Sequence, residues 1–227
     1  MRKSKWSLLY KIPLALIALS VLWVLVLKWV PVWLTPLMIS RSIEYRSDDR
    51  FRTQKRWRRI EQISPELAKA VIAGEDNRFF IHKGFDWEEI DNAIEEHRRG
   101  GRRRGASTIS QQTAKNVFLL PSKTWVRKAF EAYFTVLIEL IWGKERILEV
   151  YLNVAEMGLG IYGAEAAAKA HFGVTAAKLS RHQSCLITAC LPNPIARNAS
   201  NPGPYTRSRA SDISNLIPKL AFPEWLR

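Results

Sequence analysis

Leu67, Val71 and Glu75 stand four residues apart, so on a helix the Glu75 carboxylate would emerge beside an apolar stripe. A carboxyl partly shielded from water there titrates above its ordinary range and becomes a useful proton acceptor. The competing reading is a terminal-turn glutamate paired with Arg78. Ser107, Gln111 and Lys115 fall at i, i+4 and i+8, a polar row along one side of a helix that Ser107 can also cap. Hydroxyl, amide and ammonium at a helix start suit phosphate and sugar oxygens, and a solvated face is the alternative. Arg127 and Glu131 form an i, i+4 pair with Lys128 alongside; as a surface salt bridge it would be worth only about 0.3–0.5 kcal/mol. His82, His97, His171 and His182 show no metal-ligand spacing, so no metal site is read from them. Asp76 can cap a turn or meet a cation. Cys185 and Cys190 read as core thiols, because five residues of helix separate Cα atoms by about 8 Å, too far for a disulfide.

These residues need helices to hold them, and the punctuation of the chain supplies them. Ser64-Pro65 opens one that carries Leu67, Val71 and Ile72. Asp86 followed by Glu89 resembles a capping box, with Trp87, Ile90 and Ile94 at helical spacing until Gly100-Gly101. The arginines at 98, 99 and 102–104 surround that break and read as a solvated or membrane-facing loop. Further helices are expected from near Ser107 to Phe118, from Trp125 to Trp142, from Lys144 to Asn153, over Ala164–His171 up to Gly173, and from Leu179 to Leu191. Gly158, Gly160 and Gly163 read as a flexible turn. The C-terminal stretch reads as loop with a short helix around Asp212–Leu220, and no strand series is expected.

In 227 residues, 35 Lys+Arg against 21 Asp+Glu leave a net charge of +14. That excess predicts a polyanionic partner: nucleic acid, an anionic membrane or a phosphate-bearing substrate. A hydrophobic fraction of 47% with 25% charged residues excludes a disordered chain, and two cysteines exclude a disulfide scaffold. Only the N-terminal segment is continuously apolar, which excludes a multispanning protein. Ile12–Leu27 carries no charge, and neither does Trp29–Ile39 after Lys28. A transmembrane helix needs about 20 residues, so an uncleaved anchor over 12–30 is expected, with no small-x-small cleavage site near Lys28. Trp6, Trp23, Trp29 and Trp33 suit interface depth, and the stretch 31–39, broken by Pro31 and Pro36, reads as interfacial. The expected partition is a basic tail over 1–11, the anchor over 12–30, an interfacial and basic linker over 31–63, and one domain over 64–227. Eight arginines and lysines between Ser40 and Ile60 follow the span, so the positive-inside rule does not favour an outward domain.

Four segments occur in order: E-D-N-R-F-F-I-H-K-G (Glu75–Gly84), R-G-A-S-T-I-S-Q-Q (Arg104–Gln112), R-K-A-F-E (Arg127–Glu131) and K-E-R-I-L-E-V-Y-L-N (Lys144–Asn153). They closely resemble the ordered motifs of the peptidoglycan glycosyltransferases, glycosyltransferase family 51. Gly160–Gly173 is similar to that family's fifth motif. Ser110 stands where threonine is usual and His171 where tyrosine is usual, and the Ser110 change touches the donor side.

The resemblance implies a mostly α, lysozyme-like glycosyltransferase domain behind a single N-terminal transmembrane helix. It implies polymerisation of lipid II into linear glycan strands by inverting transfer, releasing undecaprenyl diphosphate in cell-wall biosynthesis. Glu75 matches the general base and Glu131 the second glutamate. Lys115 and Arg127 match cations on the donor's diphosphate, with Ser107, Gln111 and Lys128 as nearby substrate-binding candidates. The chain ends soon after the motifs, so the monofunctional branch without a transpeptidase domain is expected. The implied place is the bacterial inner membrane with the catalytic domain in the periplasm. Implied partners are lipid II, the growing glycan strand and the membrane, with other cell-wall synthases or division proteins as candidates and no nucleic acid. No cofactor is expected beyond a divalent cation, Mg or Mn, for which a diphosphate leaves room. Two rival readings are a membrane-bound hydrolase, which would shorten glycan, and an anchored polymer-binding module, which would tolerate loss of Glu75.

Overall fold

In the computed structural model the described residues are 3–49, 51–100 and 105–226, with side chains from Tyr10 onward. Arg102, Arg103 and Arg104 of the arginine-rich run lie outside them, as do Arg2, Arg50 and the side chain of Trp6. Helix α1 runs over Lys3–Leu27. Its stretch Tyr10–Leu27, of mean hydropathy 2.2, is the one helix among the described residues long and apolar enough to cross a membrane. Carbonyls at its C-terminal end, which no helical amide can satisfy, and just beyond it are taken up by side chains far along the chain. Trp142 Nε1 donates to the Val24 carbonyl at 2.7 Å, and Arg146 Nη2 donates to those of Leu27 at 2.8 Å and Val30 at 2.6 Å. The Ser20 and Tyr133 hydroxyls share a hydrogen bond at 2.7 Å. Within the stretch 31–39, α2 (Pro36–Glu44) starts at the second proline, capped by Thr35, and buries Met38.

From Pro65 onward the chain is helix packed on helix, with eight of the ten α-helices found among the described residues. Helix α3 (Pro65–Glu75) starts at the Ser64 cap with Pro65 in its first turn. Helix α4 (Trp87–Arg98) is capped by Asp86 and buries none of its residues. Helix α5 (Ile109–Phe118) packs against α6 (Trp125–Ile141) and α7 (Lys144–Val154). Helix α8 (Gly163–Phe172) ends at Gly173 in the left-handed conformation. Helices α9 (Arg181–Cys190) and α10 (Pro204–Leu216) close on α3. One core results, with Leu67, Ile72, Phe79, Ile109, Ile147 and Tyr151 all essentially without exposure. Full burial of side chains of this size stabilises by about 1.5–3 kcal/mol each. Cys185 and Cys190 are free and buried, and burial pushes both thiols up to about 11.

Three expectations are corrected. The glycine-rich turn is a hairpin: β2 (Glu156–Gly158) pairs antiparallel with β3 (Ile161–Tyr162), and β1 (Gln54–Lys55) adds a parallel strand to β3. Strands of two and three residues are too short to show a period of two. Gly160 is required there, since at φ 71° a Cβ would stand 2.5 Å from the Arg52 carbonyl oxygen. The C-terminal stretch is more helical than its composition suggests. Pro204 opens α10 and Thr206, Ala210 and Ile213 form its buried face, so packing overrides weak propensity. Finally, α5 begins at Ile109 behind an N-cap at Thr108, one residue later than a Ser107 cap would have it.

Candidate active site

Glu75 is the last residue of α3, and the seam behind it is tight. A Cβ on Gly74 would meet Thr188 Cγ2 of α9 at 2.6 Å. Asp76 leaves the helix and turns its carboxylate onto the start of α5, where Oδ2 accepts from the Ile109 amide at 2.9 Å. His82 Nε2 lies 2.9 Å from Asp76 Oδ1, while His82 Nδ1 accepts from the Gly84 amide at 3.1 Å. The ring proton therefore sits on Nε2 and is donated to Asp76. Thr108 Oγ1 adds a bond to the Gly84 carbonyl at 2.7 Å. Asp76, left open between cap and cation ligand by the sequence, thus ties the end of α3 to the beginning of α5.

That tie brings Glu75 against Gln112, whose Nε2 donates to Glu75 Oε2 at 3.0 Å. Tyr151 of α7 donates its hydroxyl to Gln112 Oε1 at 3.3 Å, which orients the amide. Glu75 Oε1 is buried with no hydrogen-bond partner. Burial holds the Glu75 carboxyl above the ordinary carboxylate range, opposed by the Gln112 hydrogen bond and the charge of Arg209. Arg78, the alternative partner of Glu75, reaches Asp86 at 3.0 Å and Glu88 at 2.7 Å instead.

A second cluster stands at the head of α6. Thr124 caps that helix through the Arg127 amide, and Arg127 Nε donates to the Ser122 carbonyl at 2.6 Å. Arg127 Nη1 and Lys128 Nζ both bond Glu131. Glu131 is only 3% exposed, so this is no surface pair. Its carboxylate holds both cations in place, and Arg127, though not Lys128, lines a cavity of about 490 Å³ together with Gln112, Lys115, Asn116, Lys123 and Tyr151 among others. Lys115 reaches into that cavity. Protein crowding strips water from its ammonium and lowers its pKa, an effect Glu131 opposes and Arg127 and Lys128 reinforce. A second cavity, of about 290 Å³, is lined by Glu75, Ser107, Asp86 and Arg209 among others.

The structure therefore brings Lys115 and Arg127 to one cavity and Glu75 and Ser107 to its neighbour, with Glu131 backing Arg127 and Lys128. Gln111 goes elsewhere. It is buried and closes a capping box, its Oε1 accepting from the Thr108 amide at 3.0 Å. Gln112 takes the cavity position, and the signal that finds it is the capping pattern Thr108-x-x-Gln111. Once the cap is placed at Thr108, Gln112, Lys115 and Asn116 share a face. Ser110 does not face the donor side; its hydroxyl bonds Glu139 of α6 at 2.5 Å. Tyr151 and Arg209 are further members of the site that spacing could not find, because each comes from a distant helix. The carboxylates beside the cationic cavity, Glu131 and Glu156, are already ion-paired, with Arg127 and Lys128 and with Arg41.

A poised carboxylate one amide away from a cation-lined cavity is the equipment of an enzyme that transfers a sugar from a phosphate-bearing donor to a hydroxyl. The chain belongs to the transglycosylase family, whose profile matches residues 43–217. It is 55% identical over 210 residues to the biosynthetic peptidoglycan transglycosylase of Bacteroides thetaiotaomicron, covering 91% of this chain and 84% of that one. The protein of the same description in Pseudomonas entomophila is 50% identical over 97% of this chain and 95% of its own length. That of Pseudomonas aeruginosa is 47% identical over 100% and 98%. Peptidoglycan glycosyl transfer in cell-wall synthesis is the activity this membership carries.

Proposed function

We propose that the protein polymerises lipid II at the outer face of the bacterial inner membrane, transferring the growing strand with inversion and releasing undecaprenyl diphosphate. The observation that carries this reading is Gln112, which bonds the Glu75 carboxylate and lines the cavity of Lys115 and Arg127. Glu75 takes the proton of the acceptor's 4-hydroxyl as that oxygen attacks the anomeric carbon. The bond from that carbon to the diphosphate breaks on the opposite face, and the charge that grows on the leaving oxygen falls to Lys115 and Arg127. A diphosphate so held leaves without a carboxylic acid to protonate it, so one base suffices. Glu131 fixes Arg127 and Lys128 through buried ion pairs. No step is routed through a metal ion.

A lipid-linked substrate accounts for the apolar surface as well. Val126, Phe130, Tyr133, Leu137 and Leu140 recur at i, i+4, i+7, i+11 and i+14 along α6. Val126, Phe130 and Leu140 are exposed, Leu140 at 77%. Tyr133 in the middle of this stripe bonds Ser20 of α1. Seven residues of helix separate Ser20 from Leu27, about 10 Å, so with α1 spanning the membrane the stripe lies at lipid depth. Purified protein incubated with labelled lipid II should yield long glycan that a muramidase digests. Shortened glycan from preformed polymer, with no polymer from lipid II, would overturn the reading.

A further inference from the structure

One wall of the cationic cavity comes from outside the segment that the family profile matches, which begins at residue 43. Helix α2, between the apolar helix and the catalytic domain, places Leu37 and Arg41 on the cavity at i and i+4. Arg41 is held from two sides, by Glu44 at 2.7 Å and by Glu156 at 3.2 Å. Glu156 lines the same cavity, with a side chain 7% exposed, and its Oε1 is buried without a hydrogen-bond partner. A buried carboxylate of this kind is a charge partner that fixes a guanidinium rather than a solvated surface group. Lys115, Lys123 and Arg127 also line this cavity. The order of chemistry along α2 is an apolar side chain followed, one turn on, by a guanidinium. That order matches the junction of a polyprenyl chain with its phosphate.

We propose that Arg41 is a substrate-binding residue, delivered by the linker helix to hold the phosphate nearest the polyprenyl chain of the lipid-linked substrate, with Glu156 as its positioning residue. The proposal rests on the lipid II reading above. It assigns Arg41 to capture rather than to the bond-breaking step, since the phosphate it meets carries its charge before and after transfer. Loss of such an interaction raises KM and leaves kcat.

The test is steady-state polymerisation of labelled lipid II in neutral detergent micelles and in anionic vesicles, with thermal melts as a folding check. Arg41→Gln should raise KM about tenfold or more, the span of a hydrogen bond to a charged group, with kcat within about threefold of wild type. Arg41→Lys, which keeps the charge but not the fork, should restore much of the KM. Glu156→Gln should raise KM less than Arg41→Gln does. Arg46→Gln, at an exposed arginine five residues further on, should match wild type. Wild-type KM in a folded Arg41→Gln, or Lys as damaging as Gln, would overturn the proposal. A defect confined to anionic vesicles would also overturn it, assigning Arg41 to membrane head groups. Failure of the wild type to polymerise lipid II would sink the underlying reading instead.

Discussion

Replacing Glu75 by Gln separates activity from stability, because the two depend on the same carboxyl with opposite sign. The substitution keeps the shape and an oxygen for the Gln112 amide to bond at 3.0 Å. It removes the carboxylate proposed to take the acceptor's proton, and general base catalysis is typically worth about 10²–10⁴ in rate, or roughly 2.7–5.5 kcal/mol of barrier. Glycan synthesis should fall by that order while lipid II still binds. Stability should move the other way. Burial raises the folded-state pKa of Glu75, so the native chain holds this proton at pH values where the unfolded chain has lost it. The stability of the neutral form is fully present below the unfolded value, about 4.3, and is lost as pH rises through the folded value. Glu75→Gln escapes that loss and should melt above wild type at pH 7.5, with the difference vanishing near pH 4. The assays are polymerisation of labelled lipid II, binding measured separately, and calorimetry at both pH values. Polymerisation within tenfold of wild type would remove Glu75 as the base, and a lower melting temperature at pH 7.5 would refute the argument from burial.

Lys115→Ala and Arg127→Ala should each lower kcat by about 10²–10³, the size seen when one preorganised donor to a developing charge is removed. Arg98→Ala, at the end of α4, should stay near wild type, and equal losses at all three would reduce the cations to general membrane attraction. Tyr151→Phe should cost up to about tenfold in kcat, one neutral hydrogen bond, and Gln112→Ala more; the reverse order would break the relay from Tyr151 to Glu75. Thr108→Ala removes the cap of α5 and a bond to Gly84 and should lower stability by about 1–2 kcal/mol in denaturant titration, whereas Ser107→Ala should leave it unchanged. Protease added to spheroplasts should digest the domain after Ser40, and protection there would reverse the proposed orientation.

The helices that hold Glu75, Lys115 and Glu131 were legible because each combines a cap or proline with several turns of apolar periodicity, as Ser64-Pro65 does before α3. The phase of α5 was less so, since Ser107 and Thr108 both make good caps and only the reciprocal bond of Gln111 decides between them. A shift of one residue turns a helix by about 100°, enough to exchange Gln111 for Gln112 in the cavity. The contacts that complete the site come from residues remote in sequence. Tyr151 meets Gln112, Arg209 influences Glu75, and Arg41 meets Glu156 across 115 positions. No local pattern encodes such pairs in one sequence. Burial was equally hidden: the spacing of Arg127 and Glu131 is the same on a solvated face as beneath a cavity.

The bonds from Trp142 and Arg146 to the end of α1, with Tyr133 on Ser20, make the anchor a stem rather than a tether. A tethered enzyme searches a hemisphere whose radius is its linker, and lengthening that linker changes little beyond local concentration. With α1 across the membrane as proposed, a stem would give the cavities one height and one tilt, so that every substrate molecule would arrive at the same elevation as it diffuses in the plane. Search would then be two-dimensional, and the product strand would be handed off at a constant angle to the surface it grows from. Inserting a few flexible residues after Leu27 would free the domain from that geometry while leaving each catalytic side chain where it is.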